Sequence, residues 1–451
     1  MKEYTDEYLN HIKSLIAEDN SAEAARELTE LHPADIAELY QNLDISEQEY
    51  LFRLLDEEKA ADLLMELDDE DRGRLLEAMP AEEIARQIDH LDTDDAVDLI
   101  QQLDEEDRDE ILSHIDEVEQ AGDIIDLLKY DEDTAGGLMG TEMIVVNENW
   151  SMPECIRQMR LQAEDMDEIY NVYVVDNENR LRGVLPLKEM ITHPSVSKIK
   201  HVMEVDPVSV KAETPIDEVA LDFEKYDLVA MPVVDSIGRL LGRITVDDVM
   251  DQVREASERD FQLASGISSD VDTDDSVIAQ TRARIPWLLI GIASGILASI
   301  ILGSFEDQLH AVTALALFIP IIGGTGGNVG VQASAIVVQS LANGTLEIKE
   351  FGRQVGKEFL VGLLNATIIS LVMLIYNLIF MPGEYAVTLS VAVSLFVVTM
   401  FATLLGSIVP LTLEKLHINP ALATGPFIQI SNDIFGLIIY VSISGWFLGW
   451  L

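Results

Sequence analysis

The sequence Asn419-Pro-Ala-Leu-Ala-Thr-Gly-Pro-Phe-Ile-Gln-Ile-Ser-Asn-Asp433 opens the last apolar stretch of the chain and decides how that part folds. The apolar stretch runs from about 421 to 449, which is enough for the roughly 20 residues of a membrane-spanning helix. A carboxylate near the bilayer centre costs at least ~2.5–3.5 kcal/mol, so Asp433 needs a partner. We expect a cation in a water-filled path to be that partner; the alternative is a protonated or hydrogen-bonded structural Asp.

Four further apolar stretches precede it, at about 286–303, 311–340, 358–380 and 386–413, which predicts a membrane domain of five helices over residues 285–451. None of the five stretches contains a Lys or Arg that could pair with Asp433. Basic residues flank alternate ends of the stretches: Arg282, Arg284, Lys349, Arg353, Lys357 and Lys415. By the positive-inside rule the N-terminal part is cytoplasmic and the C-terminus lies outside, and the polar N-terminus argues against a cleaved signal. We therefore predict a multi-pass protein of the cell membrane.

The second stretch contains the glycine-rich run Pro320-Ile-Ile-Gly-Gly-Thr-Gly-Gly-Asn-Val-Gly-Val-Gln332. It is not a nucleotide loop, because no Gly-Lys-Ser/Thr follows it and no strand precedes it. Two interpretations remain: backbone that lines a wet path, or small residues that let helices pack closely. Mg²⁺ keeps several waters and binds one or two carboxylates, so a sparse acidic site with Asn and Gln nearby suits it better than Ca²⁺.

The charge of the chain lies almost entirely before the membrane stretches. Asp and Glu outnumber Lys and Arg by 81 to 29, and eight of the acids follow residue 284. Such a surface repels nucleic acid and anionic lipid heads and favours inorganic cations, although acids also simply keep a domain solvated. Cys155 is the only cysteine, which excludes a disulfide framework and a thiolate metal cage.

Residues 20–130 repeat a short pattern about every 12 residues, with acids at its start and apolar residues at its end. Two of its copies are Pro33-Ala-Asp-Ile-Ala-Glu-Leu39 and Asp69-Glu-Asp-Arg-Gly-Arg-Leu-Leu76. Capping residues, Pro in the first turn and acids favoured by the helix dipole predict short helices. Stacked together, they predict an acidic α-superhelix as an N domain over residues 1–130.

A longer repeat follows, in which Val174-Val-Asp176 with Gly183 returns as Val233-Val-Asp235 with Gly242. Each copy predicts a helix, two short strands and a second helix, and the pair resembles tandem CBS (α+β) modules at 138–200 and 201–252. In that family a Gly-x-x-Thr-x-x-Asp run often holds a nucleotide's ribose and phosphate. The second copy has this run as Gly242, Thr245 and Asp248, whereas the first has Pro186 and Glu189. The resemblance thus implies at most one adenine-nucleotide site, with ATP as its candidate ligand.

An acidic helix and linker over 253–280 lead into the membrane stretches. Just before and within it, Asp247 with Asp251, and Asp251 with Glu255, form like-charged i, i+4 pairs that destabilise a helix by a few tenths of a kcal/mol. A bound divalent cation would relieve this repulsion. The alternative is a solvated acidic helix.

With these segments in order, the chain resembles the MgtE family of magnesium channels over essentially its whole length. The resemblance rests on Gly-Thr-Gly-Gly-Asn328-x-Gly-x-Gln332 and on Asn419-Pro-Ala-Leu with Pro426 and Asp433-x-x-Gly436. It implies a homodimer in membrane lipid, a pore along the two-fold axis and hydrated Mg²⁺ at Asp433. The implied pore-lining residues are Asn328, Gln332, Asn419, Thr424, Gly425, Gln429 and Asn432.

The resemblance also implies a cytosolic Mg²⁺ sensor between the N domain, the CBS pair and a connecting plug helix. Its acids would be Asp94, Asp98, Asp217, Asp227, Asp248, Asp251, Glu258 and Asp260. Three positions depart from the family pattern. Asn419 stands where some relatives have an acid, and Gly425 where some have an Asn. Val331 stands where a polar residue is common. The resemblance therefore does not imply further ion sites in the pore at these three positions.

The expected function is a Mg²⁺-selective uptake channel that cytosolic Mg²⁺ closes by negative feedback. One alternative is a nucleotide-regulated transporter or channel for another divalent cation, since Mn²⁺, Co²⁺ and Ni²⁺ also accept octahedral oxygen shells. A membrane-embedded enzyme explains less, because the soluble part has no His-containing ligand cluster, so we expect no enzymatic activity. A membrane-anchored scaffold would leave Asp433 unexplained.

Overall fold

The computed structural model describes residues 11–15, 21–163, 166, 169–194, 197–269, 271, 276–306, 312–342, 345–346 and 351–449, with only the backbone at 105–106. The chain forms two compact units, Met1–Val253 and Arg254–Leu451. Lys349, one of the basic residues used for the predicted orientation, and the acidic linker positions 270 and 272–275 lie outside the described residues.

The N-terminal part of the first unit is a series of short helices, as the acidic repeat predicted. They are α1 (Ser21–Thr29), α2 (Pro33–Gln41), α3 (Ile45–Leu54), α4 (Glu57–Glu66), α5 (Asp69–Ala78), α6 (Ala81–Ile88), α7 (Thr93–Gln101), α8 (Glu105–Leu112) and α9 (Val118–Leu127). Asp side chains begin several of them: Asp44 forms a capping box with Glu47, and Asp56 accepts from the backbone N–H of Lys59 at 3.0 Å. These acids are therefore helix caps as well as surface charge.

Alternate helices stack on one another, since α2 packs on α4, α4 on α6, α6 on α8 and α7 on α9. Their apolar ends meet in one core, in which Leu51, Leu63, Ile88 and Ile100 are fully buried. Each helix alone has too little apolar surface to be stable, so the stack forms as a superhelix in which each repeat depends on its neighbours.

The second part of the first unit contains two small sheets with matching topology. Its elements are β1 (Ile144–Asn147), α10 (Met152–Gln162), β2 (Val172–Val175), β3 (Leu181–Leu185), α11 (Leu187–Thr192), β4 (Glu204–Val205), β5 (Val210–Lys211), α12 (Ile216–Tyr226), β6 (Ala230–Val234), β7 (Leu240–Thr245) and α13 (Val246–Ser265). In each sheet a parallel strand pair is followed by an antiparallel one.

The register of the sheets confirms the internal repeat. Val174 pairs with Gly183 in the first sheet, and Val233 pairs with Gly242 at the equivalent place in the second. Glycine is needed at both places: a Cβ would lie 2.4 Å from the Glu204 carbonyl oxygen at Gly183 and 2.6 Å from the Gly140 carbonyl oxygen at Gly242. Helix α13 is continuous across residues 252 and 253, so the predicted start of the connecting helix falls inside it.

The second unit contains the five predicted helices long and apolar enough to cross a membrane. They are α14 (Val277–Gly303), α15 (Ile319–Ala342), α16 (Phe351–Phe380), α17 (Tyr385–Lys415) and α18 (Gly425–Phe447), with 3₁₀ turns at Thr313–Phe318 and Pro420–Ala423. Helix α16 begins seven residues earlier than predicted, so Glu358 lies about two turns inside it rather than at its start, and it is buried. Asp433 is therefore not the only carboxylate within these helices.

The glycine-rich run does not interrupt its helix, because α15 continues through all five glycines. A Cβ at Gly330 would lie 2.0 Å from the Asn432 amide nitrogen, and one at Gly406 would lie 2.3 Å from the Gly330 carbonyl oxygen. The three helices α15, α17 and α18 thus meet closely at Gly330. For this glycine the close-packing interpretation is confirmed.

Candidate functional sites: an acidic cavity and a membrane carboxylate

A cavity of about 160 Å³ in the first unit is lined mainly by acids. It lies where the start of α7, the segment before β1, the end of β7 and the start of α13 meet. Its lining residues are Asp92, Asp94, Asp95, Glu142, Met166, Tyr170, Arg243, Thr245, Asp247 and Asp248. Since one water occupies about 30 Å³ of liquid, this space suits an ion with part of its water shell.

Three of these acids are close enough to share one metal ion. One carboxylate oxygen each from Asp92, Asp94 and Glu142 lies within 4.8 Å of the others. The cluster is held in place from both sides: the backbone N–H of Thr93 donates to Glu142 Oε1 and its hydroxyl to Oε2, each at 3.1 Å, while Arg243 Nη2 donates to Asp92 Oδ2 at 3.1 Å. Carboxylate oxygens alone are the donor set of a hard cation such as Mg²⁺.

Burial and neighbouring negative charge disfavour the ionised form of the acids that line the cavity. Burial, together with the nearby negative charge of Asp248, raises the pKa of Asp94 well above its usual range and raises the pKa of Asp95 to about 7. Burial also raises the pKa values of Glu142 and Asp248, although hydrogen bonds from Thr93 and Thr245 oppose these shifts. A divalent cation would remove this cost by balancing the charges.

The structure brings together only some of the acids predicted as sensors. Asp94 and Asp248 both line the cavity. Asp98 lies one turn further along α7 and is exposed, while Asp217 and Asp227 are exposed at the two ends of α12. None of these last three lines the cavity.

Sequence reasoning missed Asp92, Asp95 and Glu142, and it considered Asp247 only as a charge pair with Asp251 on the helix. The string Asp92-Thr-Asp94-Asp95 contained a signal, but the repeat could not say which acid of the string points inward. Glu142 had no comparable signal, because it lies 49 residues from Thr93, to which it is hydrogen-bonded, and outside the repeated strings of the two modules.

The remaining predicted sensor acids are spread along α13. Asp251 is exposed, and Glu258 lies 4.0 Å from Arg254 in an exposed i, i+4 pair. Asp260, in the second unit, accepts a hydrogen bond from Asn419 Nδ2 at 2.8 Å. One helix therefore carries Asp248 near its start and Asp260 near its end.

Asp433 lies on α18 beside the glycines of α15. A Cβ at Gly323 would be 3.3 Å from Asp433 Oδ1, and one at Gly327 would be 3.9 Å away. These glycines thus leave open the space beside the carboxylate that larger side chains would fill. Asp433 is half-buried and forms no hydrogen bond or ion pair with any residue that the structure describes.

Five of the seven predicted pore residues fall into two groups. Asn328, Gln332 and Gln429 are exposed, and Gln429 is one turn before Asp433 on the same face of α18. Thr424 and Asn432 are instead buried between helices: the Thr424 hydroxyl donates to the Ala421 carbonyl oxygen at 2.7 Å, and the Asn432 amide lies against Gly330. We infer that this second group positions helices rather than lining a path.

The end of α13 lies against the break before α18. A Cβ at Gly425 would be 2.0 Å from the Ala264 carbonyl oxygen, and one at Gly266 would be 2.6 Å from Pro426 Cγ. Together with the hydrogen bond from Asn419 to Asp260, these contacts place residues 260–266 at the N-terminal end of α18, two turns before Asp433. These contacts fix the end of α13 against the start of α18.

Comparison with known proteins first gives a class. Residues 319–443 match the family model for a divalent cation transporter, residues 31–133 match the MgtE intracellular N domain, and residues 135–195 and 199–255 match CBS domains. The class is therefore a membrane transporter of divalent cations with two kinds of soluble domain.

Similar whole proteins narrow the class. The chain is 38% identical over 320 residues to the magnesium transporter MgtE of Thermus thermophilus, covering 70% of this chain and 71% of the relative. It is 31% identical over 322 residues to MgtE of Bacillus subtilis, covering 71% of each chain. The chain belongs to the MgtE family of magnesium transporters.

Two solved structures resemble the first part of the chain. One is the crystal structure of the soluble part of a magnesium transporter, with a TM-score of 0.52, 30% identity and coverage of 56% of this chain and 99% of that one. The other is the cytosolic domain of the Mg²⁺ channel MgtE in complex with ATP, with a TM-score of 0.52, 32% identity and coverage of 54% and 99%.

Proposed function

We propose that the chain forms a homodimeric, Mg²⁺-selective uptake channel that closes when Mg²⁺ binds to its acidic soluble domains. In this proposal residues 1–130, 138–200 and 201–252 are the sensor domains, 253–280 the plug and linker, and 285–451 the pore domain. The observation that carries it is Asp433, a carboxylate inside a membrane helix with open space beside it and no partner among the described residues.

The exposed polar residues near Asp433 support a path between two copies. Asn328, Gln332 and Gln429 expose their amides on helices that belong in a bilayer, where hydrocarbon is a poor neighbour for them. In a two-fold symmetric dimer with this surface at its interface, the amides would face water and the second copy of the chain instead of lipid. It would also bring two Asp433 carboxylates to one ion, and amides on either side would accept and donate hydrogen bonds to the waters that Mg²⁺ retains.

The direction of transport follows from the membrane potential. An inside-negative potential of about 100 mV favours entry of a divalent cation by about 4.6 kcal/mol. A passive path is therefore sufficient for uptake, and the protein's remaining task is to stop entry when the cytosol holds enough Mg²⁺.

The acidic cavity supplies the sensor in this proposal. Mg²⁺ held by Asp92, Asp94 and Glu142, with Asp248 beside them, would join α7 to the start of α13 and remove their mutual repulsion. A ligand shifts an equilibrium only through its different affinities for the two states. The closed state must therefore be the one in which this cavity is assembled, and residues 260–266 then lie at the end of α18.

The residues of the predicted nucleotide site have another use here. Gly242 allows the close approach of the Gly140 backbone, and Asp248 accepts a hydrogen bond from the Thr245 hydroxyl inside the acidic cavity. A cavity of about 160 Å³ lined by carboxylates is small and of the wrong charge for a triphosphate, since ligand pockets commonly measure about 300–1,000 Å³. We therefore propose no nucleotide site at these residues.

Mg²⁺ flux into proteoliposomes tests the pore. Asp433→Asn is the test variant, because it removes the charge and keeps the size of the side chain. Glu358→Gln is the control, because it makes the same kind of change at a different carboxylate within the membrane helices. We expect Asp433→Asn to reduce flux at least about tenfold, since it removes both charges from the ion site. Glu358→Gln should leave most of the flux intact. Equal flux from Asp433→Asn and the wild type would refute the pore assignment.

Single-channel recording tests the sensor. In the wild type we expect open probability to fall as Mg²⁺ rises on the side of the soluble domains. The Asp94→Asn variant should need a higher Mg²⁺ concentration than the wild type for the same fall. The Asp206→Asn variant, at an exposed acid outside the cavity and outside the predicted sensor set, is the control and should keep the wild-type response. If Asp94→Asn also responds like the wild type, the cavity is not the sensor, whatever the result for Asp433.

A further inference from the structure

Arg243 lies in β7 and is the one basic residue that lines the acidic cavity in the described part of the chain. It is buried, with 8% of its surface exposed, although arginine is rarely buried without a partner. Its Nη2 donates to Asp92 Oδ2 at 3.1 Å, and its Nε donates to the Glu142 backbone carbonyl oxygen at 2.6 Å. The guanidinium also lies over the ring of Tyr170, 5.5 Å from its centroid.

The backbone of Arg243 is fixed as firmly as its side chain. Its N–H donates to the Gly140 carbonyl oxygen and its carbonyl oxygen accepts from the Gly140 N–H, both at 2.9 Å. Arg243 therefore joins β7 to the segment before β1 through its backbone, and joins both to Asp92 at the start of α7 through its side chain. This is a position set by four polar contacts rather than a surface side chain that happens to lie near acids.

The charge of this guanidinium is permanent. Although burial disfavours the charged form, the nearby Asp94 and Asp92 outweigh it and raise the Arg243 pKa. Six carboxylates line the cavity, so one positive charge offsets only part of their repulsion. Of the three acids close enough to share a metal ion, Asp92 is the one whose oxygen already accepts from a cationic donor.

We infer that Arg243 is a built-in counter-ion that competes with the divalent cation for Asp92 and thereby sets the Mg²⁺ concentration at which the sensor responds. This role of Arg243 rests on the proposed function of the cavity as the Mg²⁺ sensor. Without Mg²⁺ the guanidinium offsets part of the repulsion between the acids, but one positive charge against six carboxylates does not hold the cavity assembled by itself. When Mg²⁺ enters, it meets a fixed positive charge beside one of its three ligands, so the cavity binds it more weakly than the same acids would without Arg243.

Two measurements on the full-length protein test the role of Arg243. Calorimetric titration with Mg²⁺ gives the Mg²⁺ affinity, and thermal unfolding with and without Mg²⁺ gives the stability. We expect Arg243→Gln to unfold at a lower temperature than the wild type in the absence of Mg²⁺, and to bind Mg²⁺ about tenfold more tightly, which is about 1.4 kcal/mol. Mg²⁺ should then restore most of the lost thermal stability. Arg243→Lys keeps the positive charge but cannot donate to both Asp92 and the Glu142 carbonyl oxygen in the same geometry. We expect its Mg²⁺ affinity to stay near that of the wild type.

Arg239→Gln is the matched control, because Arg239 pairs with Asp235 in the same module but outside the cavity. It should leave Mg²⁺ affinity unchanged. If Arg243→Gln loses stability equally with and without Mg²⁺ and its Mg²⁺ affinity does not rise, Arg243 is only structural and the inference is wrong. If instead Asp94→Asn fails to weaken Mg²⁺ binding, the sensor proposal fails, and that result is separable from the behaviour of Arg243.

Discussion

The Nδ2 atom of Asn419 donates a hydrogen bond to Oδ1 of Asp260 over 2.8 Å, and this contact joins the end of α13 to the turn that precedes α18. An amide at position 419 can make this bond without any metal ion. A carboxylate there would face Asp260 with like charge and would need a cation between them. The residue at 419 therefore decides whether this contact depends on Mg²⁺.

Replacing Asn419 by Asp should make closure more dependent on Mg²⁺. We expect higher open probability than the wild type at low Mg²⁺, because the two carboxylates repel, and a steeper fall as Mg²⁺ rises. Single-channel recording over a Mg²⁺ series measures this. The double variant Asn419→Asp with Asp260→Asn restores an amide–carboxylate pair and should return towards the wild-type curve; a curve that stays shifted would show that this contact is not the cause.

Gly425 gives a second test of the same contact. A side chain there would meet the Ala264 carbonyl oxygen, which is backbone and cannot move without the helix. We expect Gly425→Ala to displace the end of α13 and to leave severalfold more Mg²⁺ flux at high Mg²⁺ than the wild type.

The control for this variant is Gly291→Ala, which makes the same change on α14, where nothing lies within 4 Å of the new Cβ. It should leave flux and its Mg²⁺ dependence unchanged. If the Gly425→Ala variant stops Mg²⁺ flux at high Mg²⁺ as completely as the wild type does, residues 260–266 are not what stops it.

Sequence periodicity predicted the fold well because each element repeats a local physical rule. The acidic starts at Asp44 and Asp56 are helix caps, and the five apolar stretches are long enough to span a bilayer, so neither needs tertiary information. The CBS repeat was visible because Gly183 and Gly242 occupy equivalent positions where no Cβ fits.

The site was less predictable, because side chains from distant segments form it. Asp94 and Asp248 were expected, but Glu142 lies outside the repeated strings, and Arg243 occupies a position that the Gly-x-x-Thr-x-x-Asp run leaves open. In the membrane unit the sequence predicts a site at Asp433, yet it could not separate Asn432, which is buried against Gly330, from Gln429, which is exposed. Which face a residue takes depends on helix rotation, and packing at glycines sets that rotation.

That packing can be tested at Gly330. A Cβ there would lie 2.0 Å from Asn432 Nδ2 and 2.7 Å from Ile428 Cγ2, both on α18. Overpacking of this kind commonly costs about 1–3 kcal/mol, so we expect Gly330→Ala to unfold at a lower temperature in detergent. Gly295→Ala on α14, where the new Cβ meets nothing within 4 Å, should unfold like the wild type. Equal stability of the two variants would mean that the three helices cross less closely.

Lys59 tests the stacking of the superhelix. Its ammonium group donates to the Thr29 carbonyl oxygen and, at 2.7 Å, to the Leu31 carbonyl oxygen, so it satisfies backbone groups at the end of α1. We expect Lys59→Met to lower the free energy of unfolding by about 1–2 kcal/mol, because these acceptors are left without their donor. Lys129→Met, which removes an exposed ion pair with Asp126, should change it by less than about 0.5 kcal/mol. Thermal unfolding of the two variants compares them directly.

The thiol of Cys155 reports on the integrity of the first CBS module. The side chain is fully buried on α10, and burial raises its pKa to about 11. Thiol reagents attack the thiolate, which is a negligible fraction at pH 8 when the pKa is about 11 and a substantial one when the unfolded chain returns the pKa to about 8.5. We expect labelling with a chromogenic disulfide at pH 8 to be very slow in the native protein and complete within minutes in denaturant. Cys155→Ser gives the background, and rapid stoichiometric labelling of the native protein would show that α10 does not cover this thiol.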